Sequence, residues 1–250
     1  MKVEEYLNRI GYGGPLDASA DTLRLVHAAH MRAVPFENLS IHRGEPVVLD
    51  DGALFDKVVR RRRGGFCYEL NGLFAALLRA LGFDVRMLSA AVAAAGGGFG
   101  PDFDHMALLV TLEERWLADV GFGDSFVEPL RLDHRGEQPQ PDGRACMIRE
   151  EGDRLLYLRR GAGGGWEPQY RFDLTPHAYA DFAGMCEYHQ TSPESHFTRK
   201  RVCSRATEEG RVTLSDLRLI ETRGGERVER LLQTEEQYAA ALREHFGVVL

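Results

Sequence analysis

Arg63-Gly64-Gly65-Phe66-Cys67-Tyr68-Glu69-Leu70-Asn71 joins two helical patterns. On its N-terminal side Leu54, Phe55, Val58 and Val59 form an apolar stripe, opened by a capping Asp50 or Asp51 and closed by the arginines Arg60 to Arg63. Gly64 and Gly65 break that pattern. On the C-terminal side Leu70, Leu73, Phe74, Leu77, Leu78 and Leu81 recur at spacings of three and four, which predicts an amphipathic helix ending at Gly82. Cys67 falls on the inward face of its first turn. Free N–H groups and partial positive charge at a helix N-terminus favour thiolate over thiol, and the glycines let a ligand approach the backbone. A buried cysteine also packs well as a small hydrophobe. Two features weigh for chemistry: paired glycines are an odd choice for packing alone, and a histidine and an aspartate follow in strand-like contexts.

These are His105, in His-Met-Ala-Leu-Leu-Val, and Asp119, in Trp-Leu-Ala-Asp-Val-Gly-Phe-Gly. A Cys67–His105–Asp119 set pairs a thiol with a base and the base with an orienting carboxylate. The pattern around them predicts a hairpin, His105 to Leu112 and Arg115 to Val120, with its turn near Glu113-Glu114. A two-residue turn sets Asp119 opposite Leu108, on the other face from His105. Contact between Asp119 and His105 then requires a longer turn, a bulge or curled strand ends. Asp102 and Asp104 are the competing acids.

The quoted stretch resembles the active-site motif of the arylamine N-acetyltransferases. Three further stretches match that family in order: Val34-Pro35-Phe36-Glu37-Asn38-Leu39, His105-Met106, and Asp119-Val120-Gly121-Phe122-Gly123. The likeness runs from Val34 to Gly123 and is loose in the second half. It implies an α+β fold with a cysteine-protease-like Cys-His-Asp core: an N-terminal helical bundle (1–83), a central small β-barrel (84–190) and a C-terminal α/β lid (191–250). It implies Cys67, His105 and Asp119 as catalytic residues and acetyl-CoA as acetyl donor, with no metal. The acetyl group passes through an acetyl-cysteine thioester, in ping-pong fashion, to an aromatic amine or hydrazine, as in xenobiotic metabolism. Phe36, Tyr68, Phe122, Phe126 and Phe197 are the expected pocket aromatics. Gly98, Gly123, Ser195 and His196 are expected on the coenzyme A side. The resemblance also makes Arg63 the partner of Glu37, which needs one if buried.

Other readings stay open. Amide synthases of macrolactam antibiotic assembly share these motifs but take their acyl chain from a carrier protein. A papain-like or transglutaminase-like hydrolase has the same chain order, yet Cys67 and His105 are 38 residues apart, far less than the roughly 130–150 of the papain group. In a binding or structural protein Cys67 merely packs.

The chain has 250 residues, 44% hydrophobic and 28% charged, which suits one large domain or two to three small units packed as one body. A net charge of −7 argues against a nucleic-acid or anionic-membrane partner. Without a signal-peptide pattern or a long apolar run, the expected location is cytoplasmic. Four cysteines without a Cys-x-x-Cys pair suggest neither a disulfide framework nor a zinc ribbon, so Cys146, Cys186 and Cys203 read as structural. His27 and His30 sit on or near the inward stripe of a helix capped by Ser19 or Asp21 and read as packing histidines. Gly96 to Pro101 reads as a loop. Further on, short strands at Cys146–Arg149, Leu155–Leu158 and Gln169–Leu174 suggest a small barrel or curled sheet. Pro176 to Tyr188 is expected helical and Val212 to Leu219 a strand. Thr234-Glu235-Glu236-Gln237 opens a last helix with the stripe Tyr238, Leu242 and Phe246.

Overall fold

The computed structural model describes residues 1–250. Helices occupy Val3–Ile10, Ala20–Ala33, Asp51–Phe55 (continued by a π-helical turn, Asp56–Arg60) and Cys67–Ala80. Their ends follow the sequence signals. Gly11 closes the first in a left-handed conformation, the Ser19 side chain accepts from the Thr22 N–H, and Asp50 accepts from Ala53. The cysteine helix is central. Its stripe of Leu70, Leu73, Phe74, Leu77 and Leu78 is wholly buried in the main core. No helix is long and apolar enough to cross a membrane.

An eight-stranded antiparallel sheet packs on this helix. Its strands run in the order Leu130–Arg131, Arg115–Ala118, His105–Thr111, Asp84–Val92, Trp166–His177, Arg154–Arg160, Ala145–Glu151 and Gln138–Pro139. The sheet is nearly closed, as the barrel expectation requires. Its side chains alternate between two cores: Met106, Leu108 and Val110 meet the helices, whereas Ala107 and Leu109 meet Leu117, Tyr157, Tyr170 and Phe172.

The hairpin register corrects the sequence expectation. Thr111 pairs with Arg115 and Leu108 with Ala118, so the turn has three residues, Leu112 to Glu114. Asp119, one residue past the strand end, therefore falls in register opposite Ala107, two residues from His105 and on the same face. The one-residue difference removes the apparent conflict, because side chains alternate with period two.

A second antiparallel sheet has the order Phe36–Glu37, Val202–Ala206, Gly210–Ser215, Arg218–Arg223 and Glu226–Leu231. The expected single strand Val212 to Leu219 is instead parts of two strands, separated at Asp216, which adopts a left-handed φ of 47°. Phe36 and Glu37 pair with Ser204 and Cys203, tying the N-terminal segment to the C-terminal sheet. Pro176, expected to open a helix, still belongs to the strand Trp166–His177; a 3-10 turn and the helix Ala183–Thr191 follow. Helix Glu235–Ala241 is capped by Thr234 and buries Tyr238, with Leu242 and Phe246 buried in the π-turn beyond.

Candidate active site

Two buried ion pairs build the approach to Cys67. Lys57 Nζ lies 2.7 Å from Glu69 Oε1, and Glu69 Oε2 accepts the Phe66 N–H at the helix N-terminus. Arg63 grips Glu37 at 3.0 Å, and Glu37 also accepts the Leu39 and Gly64 N–H groups. The remaining arginines of the run, Arg60 to Arg62, are exposed. The glycines serve this packing rather than a ligand. A Cβ at Gly64 would lie 1.9 Å from the Pro35 carbonyl oxygen, and one at Gly65 2.6 Å from the Glu69 carboxylate. A Cβ at Gly121 would likewise lie 2.8 Å from the Cys67 Cα.

His105 Nε2 is 2.8 Å from Asp119 Oδ2, both side chains being buried. The other carboxylate oxygen accepts from Asn71 Nδ2 and the Gly121 N–H, each at 2.9 Å. Asn71 also donates to the Met106 carbonyl and accepts the Val120 N–H, so one amide joins the cysteine helix to both strands. Beneath them the His27 Nε2 accepts the Asp119 N–H at 3.1 Å while Nδ1 meets the Val127 carbonyl at 2.7 Å. That arrangement requires a neutral imidazole protonated on Nδ1. Burial lowers the pKa of His27 to about 4.

Burial works against ionisation of Asp119 too, but the charge of His105 and the hydrogen bonds from His105, Asn71 and Gly121 outweigh it, holding the carboxyl below its ordinary value. Cys67 behaves otherwise. Burial pushes its thiol well above the ordinary value; a main-chain hydrogen bond at Met106 opposes this, and Cys186, Asp119 and Asp104 add to it. The lowering expected from the helix N-terminus is thus overridden by desolvation, and a lone thiolate is not the resting form.

Cys67 and His105 open on one cavity of about 510 Å³. Of the residues singled out from sequence, Phe36, Phe122, Gly123, His196 and Phe197 line it with them. Four do not. Tyr68 is fully buried and donates to the Phe103 carbonyl. Phe126 is fully buried in the barrel, between His27 and Tyr157. Ser195 is buried, caps the short helix His196–Arg199 and meets His189 Nδ1 at 3.0 Å. Gly98 is exposed on the loop before the histidine strand. Phase explains Tyr68, one step from the cavity-facing Cys67, whereas Phe126 lies two residues beyond the last lining residue of its segment, Asp124, and packs in the barrel core. Asp104 and His189 line the cavity as well, and the sequence reading assigned neither to it. Asn71 and His27 were missed as supports of Asp119, since each acts through a partner at least 48 positions away.

A family model described as N-acetyltransferase matches residues 19–250. An arylamine N-acetyltransferase of Escherichia coli is 34% identical, covering 98% of this chain and 88% of that protein. The solved structure of the Salmonella typhimurium arylamine N-acetyltransferase superposes with a TM-score of 0.93 at 31% identity, covering 98% of this chain and 90% of that one. The Mycobacterium marinum arylamine N-acetyltransferase, solved in complex with CoA, gives a TM-score of 0.92 at 32% identity over 99% and 93% of the two chains.

Proposed function

Because this chain belongs to the arylamine N-acetyltransferase family, we propose that it carries an acetyl group from acetyl-CoA to an aromatic amine or hydrazine, through a thioester on Cys67. The observation that carries this reading is one cavity shared by Cys67 and a His105 bonded to the buried Asp119 at 2.8 Å. The complex of the Mycobacterium marinum relative with CoA supports the donor.

With Nε2 engaged by Asp119, His105 has Nδ1 for the thiol. Proton transfer from Cys67 to His105 replaces a costly buried thiolate by a thiolate–imidazolium pair, and Asp119 balances the new positive charge. The thiolate adds to the thioester carbonyl of acetyl-CoA. Collapse of the adduct expels CoA, which takes the proton back from His105, and leaves acetyl-Cys67. One thioester is exchanged for another, so neither direction is steep. The amine then adds to acetyl-Cys67, His105 accepts its proton, and the Cys67 thiolate departs as the amide forms. Phe36, Phe122 and Phe197 supply flat walls for an aromatic acceptor.

Intact mass after mixing the protein with acetyl-CoA alone tests this. The expected result is one added acetyl group, absent from Cys67→Ala and discharged by an aromatic amine. A protein that turns over acetyl-CoA and amine without ever carrying the acetyl group overturns the proposal.

A further inference from the structure

Asp104 is a carboxylate without a protein hydrogen bond, inside a cavity that Phe36, Phe122 and Phe197 line together with polar and charged side chains. It lines the same space as Cys67 and His105, its side chain is 18% exposed, and no protein donor bonds either of its oxygens. Its ion-pair contact is with His189, whose Nε2 lies 3.1 Å from Oδ1 but off hydrogen-bond alignment, so that this buried nitrogen is also unpartnered. A buried polar group left so in a folded protein calls for a cause.

The surrounding structure holds the pair in place. His189 is 3% exposed, and its Nδ1 meets Ser195 Oγ at 3.0 Å. Its ring lies between Tyr68 and Phe197, at centroid distances of 6.1 and 5.2 Å. On the other side Phe103 adopts a left-handed φ of 65°, a conformation that costs a bulky residue energy. Ser89 Oγ accepts its N–H and Tyr68 O–H donates to its carbonyl, both at 2.7 Å. This strained residue sets the direction of the next, Asp104. A negative charge here also opposes ionisation of Cys67. The chain thus holds, beside its nucleophile, an anion that hinders the first proton transfer and whose protein contact is the unaligned approach of His189.

We propose that Asp104, positioned by His189, binds an N–H of the acceptor next to the attacking nitrogen, so that the site selects hydrazines and hydrazides over simple arylamines. A simple arylamine has one nitrogen, which attacks acetyl-Cys67. A hydrazide has a second, adjacent N–H, which a fixed carboxylate accepts while the terminal NH2 reacts. A site built around such an acceptor discriminates against a ligand lacking the donor, because the carboxylate then stays unpaired. This rests on the acetyl-Cys67 reading above.

The test is kcat/KM for benzoic hydrazide and for aniline, which in a ping-pong enzyme reports on attack at the acetyl-enzyme. It is measured for the native protein, Asp104→Leu, Asp104→Asn, His189→Ala and His189→Gln, with folding checked by thermal melting. The expected result is that the hydrazide-to-aniline ratio falls about tenfold or more in Asp104→Leu, and less in Asp104→Asn, which keeps an acceptor oxygen. The ratio also falls in His189→Ala, and His189→Gln restores part of it, as a positioning role requires and a merely structural one does not. A ratio within about twofold of the native value in Asp104→Leu, or an equal fall for both acceptors, overturns the proposal. A native protein that forms no acetyl-Cys67 fails the underlying reading instead, and intact mass tells the two apart.

Discussion

At the scale of the residue, two histidines show how burial assigns roles. His105 meets a carboxylate, whereas His27 meets a main-chain N–H and a carbonyl, so the first is placed to carry charge and the second must stay neutral. This has a consequence for acid stability. The unfolded chain protonates His27 near pH 6.5, and the folded one only near pH 4. The unfolded state therefore binds more protons between these values, and stability falls as the pH is lowered through that window, by about 3 kcal/mol. Asp119, held below its ordinary value, adds a further loss at lower pH still. Urea unfolding from pH 7 to pH 4 measures this, with His27→Gln expected to flatten the dependence because its amide can both donate to Val127 and accept from Asp119. An equal pH slope in the two proteins rules the assignment out. That His27 packs was legible in the sequence from its place on the inward stripe. That it supports Asp119 was not, since the two are 92 positions apart.

At the scale of the element, the paired glycines are where the first helices, the N-terminal strand and the cysteine helix meet. Their reading as room for a ligand follows from the motif alone; the structure gives that room to Pro35 and Glu69. Gly64→Ala is expected to destabilise by about 3 kcal/mol or more, since a backbone carbonyl cannot rotate away as a side chain can. Gly96→Ala, where a Cβ meets nothing within 4 Å, is the matched control and should change stability by less than about 0.5 kcal/mol. Thermal melting of both compares them directly. The hairpin teaches the same lesson about elements. Both strands were readable from alternation, but the turn gained one residue, and a single step of register decides whether Asp119 faces His105 or turns its back on it.

At the scale of the whole molecule, the cavity exists because distant segments are tied across it. Asn38 donates to the carbonyls of Phe197 and Lys200 and accepts the Val202 N–H, at 2.7 to 2.9 Å. Phe197 and Lys200 line the cavity, so Asn38 holds one wall without touching its interior. Asn38→Ala leaves these groups without a partner and should lower stability by about 2 kcal/mol or more. It should also raise KM for the aromatic acceptor more than it lowers kcat; thermal melting and steady-state kinetics check the two parts. The sequence by itself determined the α+β class, the cysteine helix, the strands carrying His105 and Asp119, and the Glu37–Arg63 pair that its family resemblance implied. Periods of 3.6 and 2, caps and short motifs are local properties, written in neighbouring residues. Only the tertiary structure decided that Asp119, and not Asp102 or Asp104, meets His105, that Tyr68 and Phe126 turn into the core while Phe36, Phe122 and Phe197 line the cavity, and that Asp104 faces His189. Each depends on register and on which face of an element another covers. Those are set by packing between segments far apart in the chain, which no local pattern encodes.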